Sequence, residues 1–309
     1  MAPLLRIGTR GSPLALAQAD ETRARLGAAF PELAEPGAVE TVVIKTTGDA
    51  ILDRTLADAG GKGLFTKEIE EALLAGSVDL AVHSLKDMPT WLPDGLELAC
   101  FFPREDPRDA FFARDGRTPL KHLPPGSVVG TASLRRQAQI LLRRPDLKVV
   151  PFRGNVQTRM RKLEEGQADA TILAMAGLRR LGIADRATCV LETHEMLPAV
   201  AQGCIGIEIR SGDDRTRAYL APLDCADSRR RVTAERALLA VLDGSCRTPI
   251  AALAETDGAG GLRLAGLVAA PDGSQAVEAV RAGRADDAEA IGRDAGAELR
   301  ARMPAGLLG

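Results

Sequence analysis

A chain of 309 residues has room for two domains or three at roughly 150 residues each, and 45% hydrophobic with 27% charged residues suits packed cores under a polar surface. Forty basic against 42 acidic side chains give a net charge of -2, which argues against a generally basic nucleic-acid binder; Phe 7, Trp 1 and Tyr 1 are too few for a base-stacking platform. No apolar run reaches the ~18 residues of a membrane span, and the opening MAPLLRIGTRGSP meets a charge and a turn too early for a signal-peptide core. Five cysteines, at 100, 189, 204, 225 and 246, form no CxxC pair, and an odd number cannot all pair within one chain. The expectation is a reduced, soluble, cytoplasmic protein with no membrane and no nucleic-acid partner.

In chain order, short β-like runs alternate with amphipathic helical ones. Strands are predicted at 3–9, 39–45, 78–84, 96–102, 127–131, 148–152, 169–174 and 204–210, with helices at 13–27, 65–75, 133–144 and 155–165 between them. That alternation predicts α/β layers over mainly parallel sheet. After about residue 222 the texture changes: a helix at 228–242, two strands at 262–269 and 275–282 around the turn PDGS, and a last helix at 285–302. Helices flanking a hairpin read as a small α+β domain.

One layout occurs twice. IGTRGSPLALAQA (7–19) and VGTASLRRQAQI (129–140) both run from an apolar strand end through Gly-Thr and a polar turn to a serine and a helix. Ser12, with Pro13 at the first helical position, and Ser133 are expected N-caps. A helix N-terminus offers unpaired N–H groups and the positive dipole end, and both favour anions. Arginines stand beside each cap: Arg10 in the first copy, Arg135 and Arg136 in the second. A third instance, PFRGNVQTRMRKL (151–163), puts Arg153 at a strand end, Asn155 as cap and Arg159 one turn further. Ligands in open α/β sheets sit at strand carboxyl ends, so two similar α/β domains with a shared cleft for carboxylates or phosphates are expected.

Residues 131–162 hold nine Lys/Arg and one acid, Asp146, a local balance of +8. Arg143, Arg144, Lys148 and Lys162 read as a solvated face, and the cap arginines as ligands for discrete carboxylates rather than a phosphate backbone. In DLAVHSLKDMPT (79–90) a strand ends at His83-Ser84, followed by Lys86 and Asp87. An ionised Asp87 in a cleft accepts N–H donors and offsets developing positive charge; a surface Lys–Asp turn is the plainer alternative. His83 alone reads as a packed strand-end histidine. Histidines at 83, 122 and 194 give no zinc spacing and no Ser-His-Asp triad, so no metal is expected. Cys100, Cys189 and Cys204 fall in apolar runs and read as core; Cys246, beside Arg247 in a polar loop, remains open between a reactive thiol and an inert one.

The motifs IGTRGSPLALAQA, VIKTTGDAILD, GGKGLFTKEIEEALL, DLAVHSLKDMPT, PREDPRDAF, VGTASLRRQAQ, FRGNVQTRMRKL, ILAMAGLRRLG, PAVAQGCIGIE and DGSCRTPIA stand in order along the chain, and LAGLVAAPDGS extends the series. Together they closely resemble the porphobilinogen deaminase (hydroxymethylbilane synthase) family. The resemblance implies an enzyme that condenses four porphobilinogen units into a linear tetrapyrrole, releasing ammonia at each step, on a covalent dipyrromethane cofactor. It implies that Cys246 carries the cofactor through a thioether and that Asp87 contacts the pyrrole nitrogens. Arg10, Ser12, Lys86, Thr131, Ser133, Arg135, Arg136, Arg153, Arg159 and Arg180 fall on the family's cofactor- and substrate-carboxylate ligands, and Lys62 on a mobile cover loop.

The implied fold is α/β: two periplasmic-binding-protein-like domains (1–102 plus 200–221, and 103–199) sharing a cleft, and a small α+β C-terminal domain (222–309) bearing the cysteine loop. A monomer is expected, and the resemblance allows a hand-off of product to uroporphyrinogen-III synthase. Three departures stand out: Ala201 where glycine is common, Ala132 where serine is frequent, and Asp243 beside the cysteine loop. The alternative to be tested is a non-catalytic bilobal protein that holds a small anion.

Overall fold

A computed structural model describes residues 3–50, 63–243, 248–304 and 307. The first elements are β1 (Leu5–Thr9), α1 (Pro13–Ala29), α2 (Pro31–Ala34), β2 (Val39–Val43), α3 (Thr47–Ala50), α4 (Lys67–Leu74), β3 (Leu80–Ser84) and β4 (Leu96–Phe101). Next come β5 (Asp109–Ala113), β6 (Val128–Gly130), α5 (Leu134–Arg143), β7 (Lys148–Val150), α6 (Val156–Glu164), β8 (Ala170–Ala174), α7 (Met175–Arg180) and β9 (Cys189–Leu191). The chain closes with β10 (Ile205–Arg210), α8 (Asp214–Leu220), α9 (Ala226–Val241), β11 (Ile250–Thr256), β12 (Gly261–Ala269), β13 (Ala276–Arg284) and α10 (Ala288–Arg302).

Two compact units result. One holds the described residues up to 50, 63–105 and Cys204–Arg229; the other holds Asp106–Gly203 and the described residues from Arg230 onward. The first is built on a sheet of order β2-β1-β3-β10-β4, and the second on β7-β6-β8-β5-β9 plus a three-stranded sheet β11-β12-β13. The two five-stranded sheets share one plan. Three parallel strands are followed by one that runs antiparallel, β10 in the first sheet and β5 in the second. This corrects the expectation of mainly parallel sheet, because each has two parallel and two antiparallel pairings. The reversed strand begins at the edge where its parallel neighbour ends: Ile205 lies opposite Ser84, and Asp109 opposite Ala174.

Both faces of the first sheet are covered, so apolar side chains recur on both sides of β3 rather than alternating with polar ones. Leu80 and Val82 pack with Leu26 and Ala19 of α1, whereas Ala81 packs with Ile69 and Leu73 of α4. Each fully buried aliphatic side chain of this kind contributes about 1.5–3 kcal/mol. In the second unit, Ala138 of α5 packs with Ala251, Leu267 and Ala269. Gln137 Nε2 donates to Pro271 O at 3.0 Å. The small sheet is thereby fixed to the helix that carries the paired arginines.

Three strands went unread in the sequence. β5 (DAFFA) opens on an acid inside a charged stretch, β9 has three residues, and β11 (IAALAET) is rich in alanine, a poor strand former.

Candidate functional site

All three expected caps form. Ser12 Oγ accepts from Ala15 N at 3.3 Å, Ser133 Oγ from Arg136 N at 3.4 Å, and Asn155 Oδ1 from Thr158 N at 2.9 Å. Glycine is required at two nearby points. A Cβ on Gly130 would lie 2.5 Å from the Phe152 ring, and Gly154 has φ +118°, which sets up the Asn155 cap.

In the first unit, the ends of β1 and β3 and the starts of α1 and α4 converge on a pocket of about 70 Å³. Arg10, Ser12, Gln18, Phe65, Thr66, His83, Ser84 and Asp87 all contribute to its lining. The Arg10 guanidinium stands 4.1 Å over the Phe65 ring, a cation–π contact that orients it. Gln18 Nε2 donates to Ser84 Oγ at 2.8 Å. Asp87 ends a short 3-10 turn and is half-buried, with Lys86 half-buried beside it. The plainer surface-turn reading of Asp87 therefore gives way to a pocket position. His83 is buried against Glu208, as a packed histidine should be.

In the second unit, Arg135 and Arg136 are turned inward, each about 5% exposed. Arg135 Nη2 lies 2.8 Å from Asp109 Oδ2, and Arg136 Nη2 donates to Asp109 Oδ1 at 2.8 Å. Their other amino groups donate to Leu197 O at 2.7 Å and Ile172 O at 2.8 Å. Gln202 Nε2 adds a bond to Asp109 Oδ1 at 2.9 Å. Both arginines, read from the sequence as open to ligand carboxylates, thus have an internal counter-ion. Two guanidiniums on one carboxylate still leave the cluster with one net positive charge. Burial alone would raise Asp109, but Arg135 and Arg136 outweigh it and hold the carboxyl well below the usual range.

Arg153 is half-buried at the turn before α6, Arg159 half-buried on that helix, and Thr131 buried with its hydroxyl accepting from Ser133 N at 3.1 Å. Arg180 Nη2 donates to Gly203 O at 3.2 Å. Arg144, expected on a solvated face, instead pairs with Asp146 and donates to the carbonyls of Leu120 and Leu123. Cys100 and Cys204 are buried as expected, and burial pushes the Cys100 thiol up to about 12. Cys246, Arg247 and Lys62 lie outside the described residues.

Sequence reasoning missed Gln18, Thr66, Glu208, Asp109 and Gln202. Glu208 had a signal: it is an acid in the middle of the apolar run Ile205–Ile209, where a charge must find a partner, whereas Asp109 stands at the end of the charged stretch that hid β5. Gln18 and Gln202 had none, since an amide in a helix or loop is ordinary.

Capped helix starts and arginines at the carboxyl edges of two like-built sheets define an α/β protein whose strand ends carry the candidate site. Residues 5–218 match the family model "Porphobilinogen deaminase, dipyromethane cofactor binding domain", and residues 229–301 match the model of that enzyme's C-terminal domain. The chain is 61% identical over 306 residues to the chloroplastic porphobilinogen deaminase of Oryza sativa subsp. japonica, covering 98% of this chain and 85% of that one. It is 60% identical over 301 residues to porphobilinogen deaminase of Paracoccus denitrificans (strain Pd 1222), covering 97% and 95%. The chain belongs to the porphobilinogen deaminase family.

Among solved structures it is similar to an ancestral cationic amino acid solute binding protein, at TM-score 0.42 and 18% identity over 71% of this chain and 87% of that one. It is also similar to a periplasmic binding protein from Brucella ovis with glutathione bound, at TM-score 0.40 and 17% identity over 77% and 68%. The α/β class itself rests on the sheet order above.

The residues present suit a dipyrromethane, which brings carboxylate arms and pyrrole N–H donors. Arg153 Nη1 is buried without a hydrogen-bond partner among the described residues, as a site for an anionic group requires. Asp87 offers an acceptor within the pocket.

Proposed function

We propose that this chain is a transferase that condenses four porphobilinogen molecules head to tail into the linear tetrapyrrole hydroxymethylbilane, with release of ammonia. The observation that carries this reading is identity of 60% or more to two curated porphobilinogen deaminases over nearly the whole chain. When bound, the dipyrromethane supplies the free pyrrole carbon on which the product is built.

The protein's own residues bind, orient and stabilise charge. Asp87 accepts pyrrole N–H donors and offsets positive charge as the amine departs, an interaction strongest in the transition state. Arg10, fixed over Phe65, and the capped start of α1 at Ser12 take carboxylate arms in the first unit, with Lys86 beside Asp87. Thr131, Ser133, Arg153, Arg159 and Arg180 do so in the second. Arg135 and Arg136 act there through their shared excess charge, held in place by Asp109. Each charge-assisted hydrogen bond contributes about 1.5–3 kcal/mol when well formed. Because Arg135, Arg136 and Arg144 are internally paired, the basic segment is no continuous track for a phosphate backbone.

In this reading Cys246 holds the cofactor by a thioether, Lys62 belongs to a cover loop, and the chain forms three domains (1–102 with 200–221, 103–199, 222–309). The protein works as a cytoplasmic monomer and passes its product to uroporphyrinogen-III synthase. The test is the intact mass of the denatured protein with peptide mapping. Two linked pyrrole units on Cys246, and ammonia release from porphobilinogen, are the expected results. A protein that stays unmodified after incubation with porphobilinogen and releases no ammonia is a binder, and refutes the reading.

A further inference from the structure

Beneath the Asp87 pocket lies a buried cluster that the reaction as described leaves unused. His83 Nε2 sits 3.0 Å from Glu208 Oε2, with the side chains 5% and 0% exposed. Strand register produces the pair. β3 and β10 run antiparallel with Gly206 opposite His83 and Glu208 opposite Ala81, so these four positions share a face. α4 packs on β3 and β10 and brings buried Glu70. Glu208 Oε1 and Glu70 Oε1 are both buried without a hydrogen-bond partner among the described residues. Burial pushes the Glu70 carboxyl up, the Thr66 hydroxyl offsets part of this, and Glu208 adds to it. His83 lines the same pocket as Ser84 and Asp87, and its volume of about 70 Å³ admits water.

Each condensation turns an aminomethyl –CH2–NH3⁺ and an aromatic C–H into a methylene bridge and NH4⁺. The C–N bond breaks with its electron pair leaving on NH3. A C–C bond forms from the ring π electrons, and the ring proton is released from carbon. No net proton is consumed, yet the proton starts on carbon and ends on ammonia. A side chain that takes it and returns it connects the two events. We infer that His83, held by Glu208 at the floor of the Asp87 pocket, is this transient proton holder; the inference rests on the transferase reading above. With Nε2–H donated to Glu208, Nδ1 carries the lone pair, and the carboxylate stabilises the imidazolium when it forms. The charged groups near the pair are Glu68 and Glu70 from α4, Asp87 from the turn after β3, and Arg10 across the pocket. β4 sets Leu98 opposite Glu208 and adds no charge there.

The experiment uses cofactor-loaded enzyme and porphobilinogen deuterated at its free ring carbon. His83→Gln is expected to lower kcat by about 10²-fold with KM little changed, and to expose a primary isotope effect absent from the wild type. Glu208→Gln is expected to lower kcat by roughly tenfold and move the acid limb of the pH profile to lower pH, because an imidazole without its carboxylate releases its proton more readily. The His83 ring-nitrogen signals, read by NMR, change in that variant as the contact of Nε2 with the Glu208 carboxylate is lost. Unchanged rates, isotope effects and pH profiles in folded, loaded variants overturn the inference. If His83→Gln fails to fold, Glu208→Gln carries the test, and an unmoved profile there is equally decisive. Wild-type protein that releases no ammonia refutes the transferase reading instead.

Discussion

Replacing Asp109 by Asn keeps the shape of the buried arginine cluster and removes its only carboxylate contact among the described residues. Asp109 is fully buried, and Arg135 and Arg136 each approach it to 2.8 Å. Unit charges ~4 Å apart at an effective dielectric of ~20 attract by about 4 kcal/mol, so two arginines offer about twice that before desolvation and their mutual repulsion are subtracted. Removing one partner from such buried clusters costs about 3–5 kcal/mol, because the remaining charge stays buried without compensation. The loss should appear in the second unit alone. Trp91 and Tyr219 are the sole Trp and Tyr and both lie in the first unit, so fluorescence reports on that unit while far-UV circular dichroism follows both. A urea titration of Asp109→Asn should therefore show the fluorescence transition in place and a component of the dichroism transition shifted to lower urea.

The sign of the pH dependence is also set. Asp109 has a lowered folded value, so its stabilisation is complete above the unfolded value of ~3.9 and is lost as pH falls through the folded one. The variant should lack that acid-side decline. A dichroism curve within ~1 kcal/mol of wild type, with the acid decline intact, refutes the role given to this carboxylate.

Three further outcomes are expected. Asp87→Ala should lower turnover by at least ~10²-fold while both unfolding transitions stay within ~0.5 kcal/mol; near-normal ammonia release removes its assigned role. Arg153→Gln should slow cofactor loading, followed by mass, with little change in stability, since the buried Nη1 has no internal hydrogen-bond partner to lose among the described residues. Ala201, which the sequence marked as a departure from glycine, has φ +59° and is buried, with its N–H donated to Glu235 Oε2 at 2.6 Å. Ala201→Gly should relieve left-handed strain and raise stability by up to about 1 kcal/mol in thermal melts, and a lowered melting point contradicts that account.

The sequence by itself determined what depends on near neighbours. Caps at Ser12, Ser133 and Asn155, the parallel cores of the two sheets, the C-terminal hairpin and the family motifs are all written within windows of a few residues. A cap needs only its own side chain and the N–H three positions on, and a helix–strand alternation needs only its period. Tertiary structure decided where the charges point. Arg135 and Arg136 look like ligands at a helix start until β5 arrives from upstream, antiparallel, with Asp109 at the same sheet edge. Glu208 meets His83 across 125 positions, through the register of two strands that no local pattern pairs. Buried ions choose partners by distance in space, and those distances exist only once the strands have been ordered.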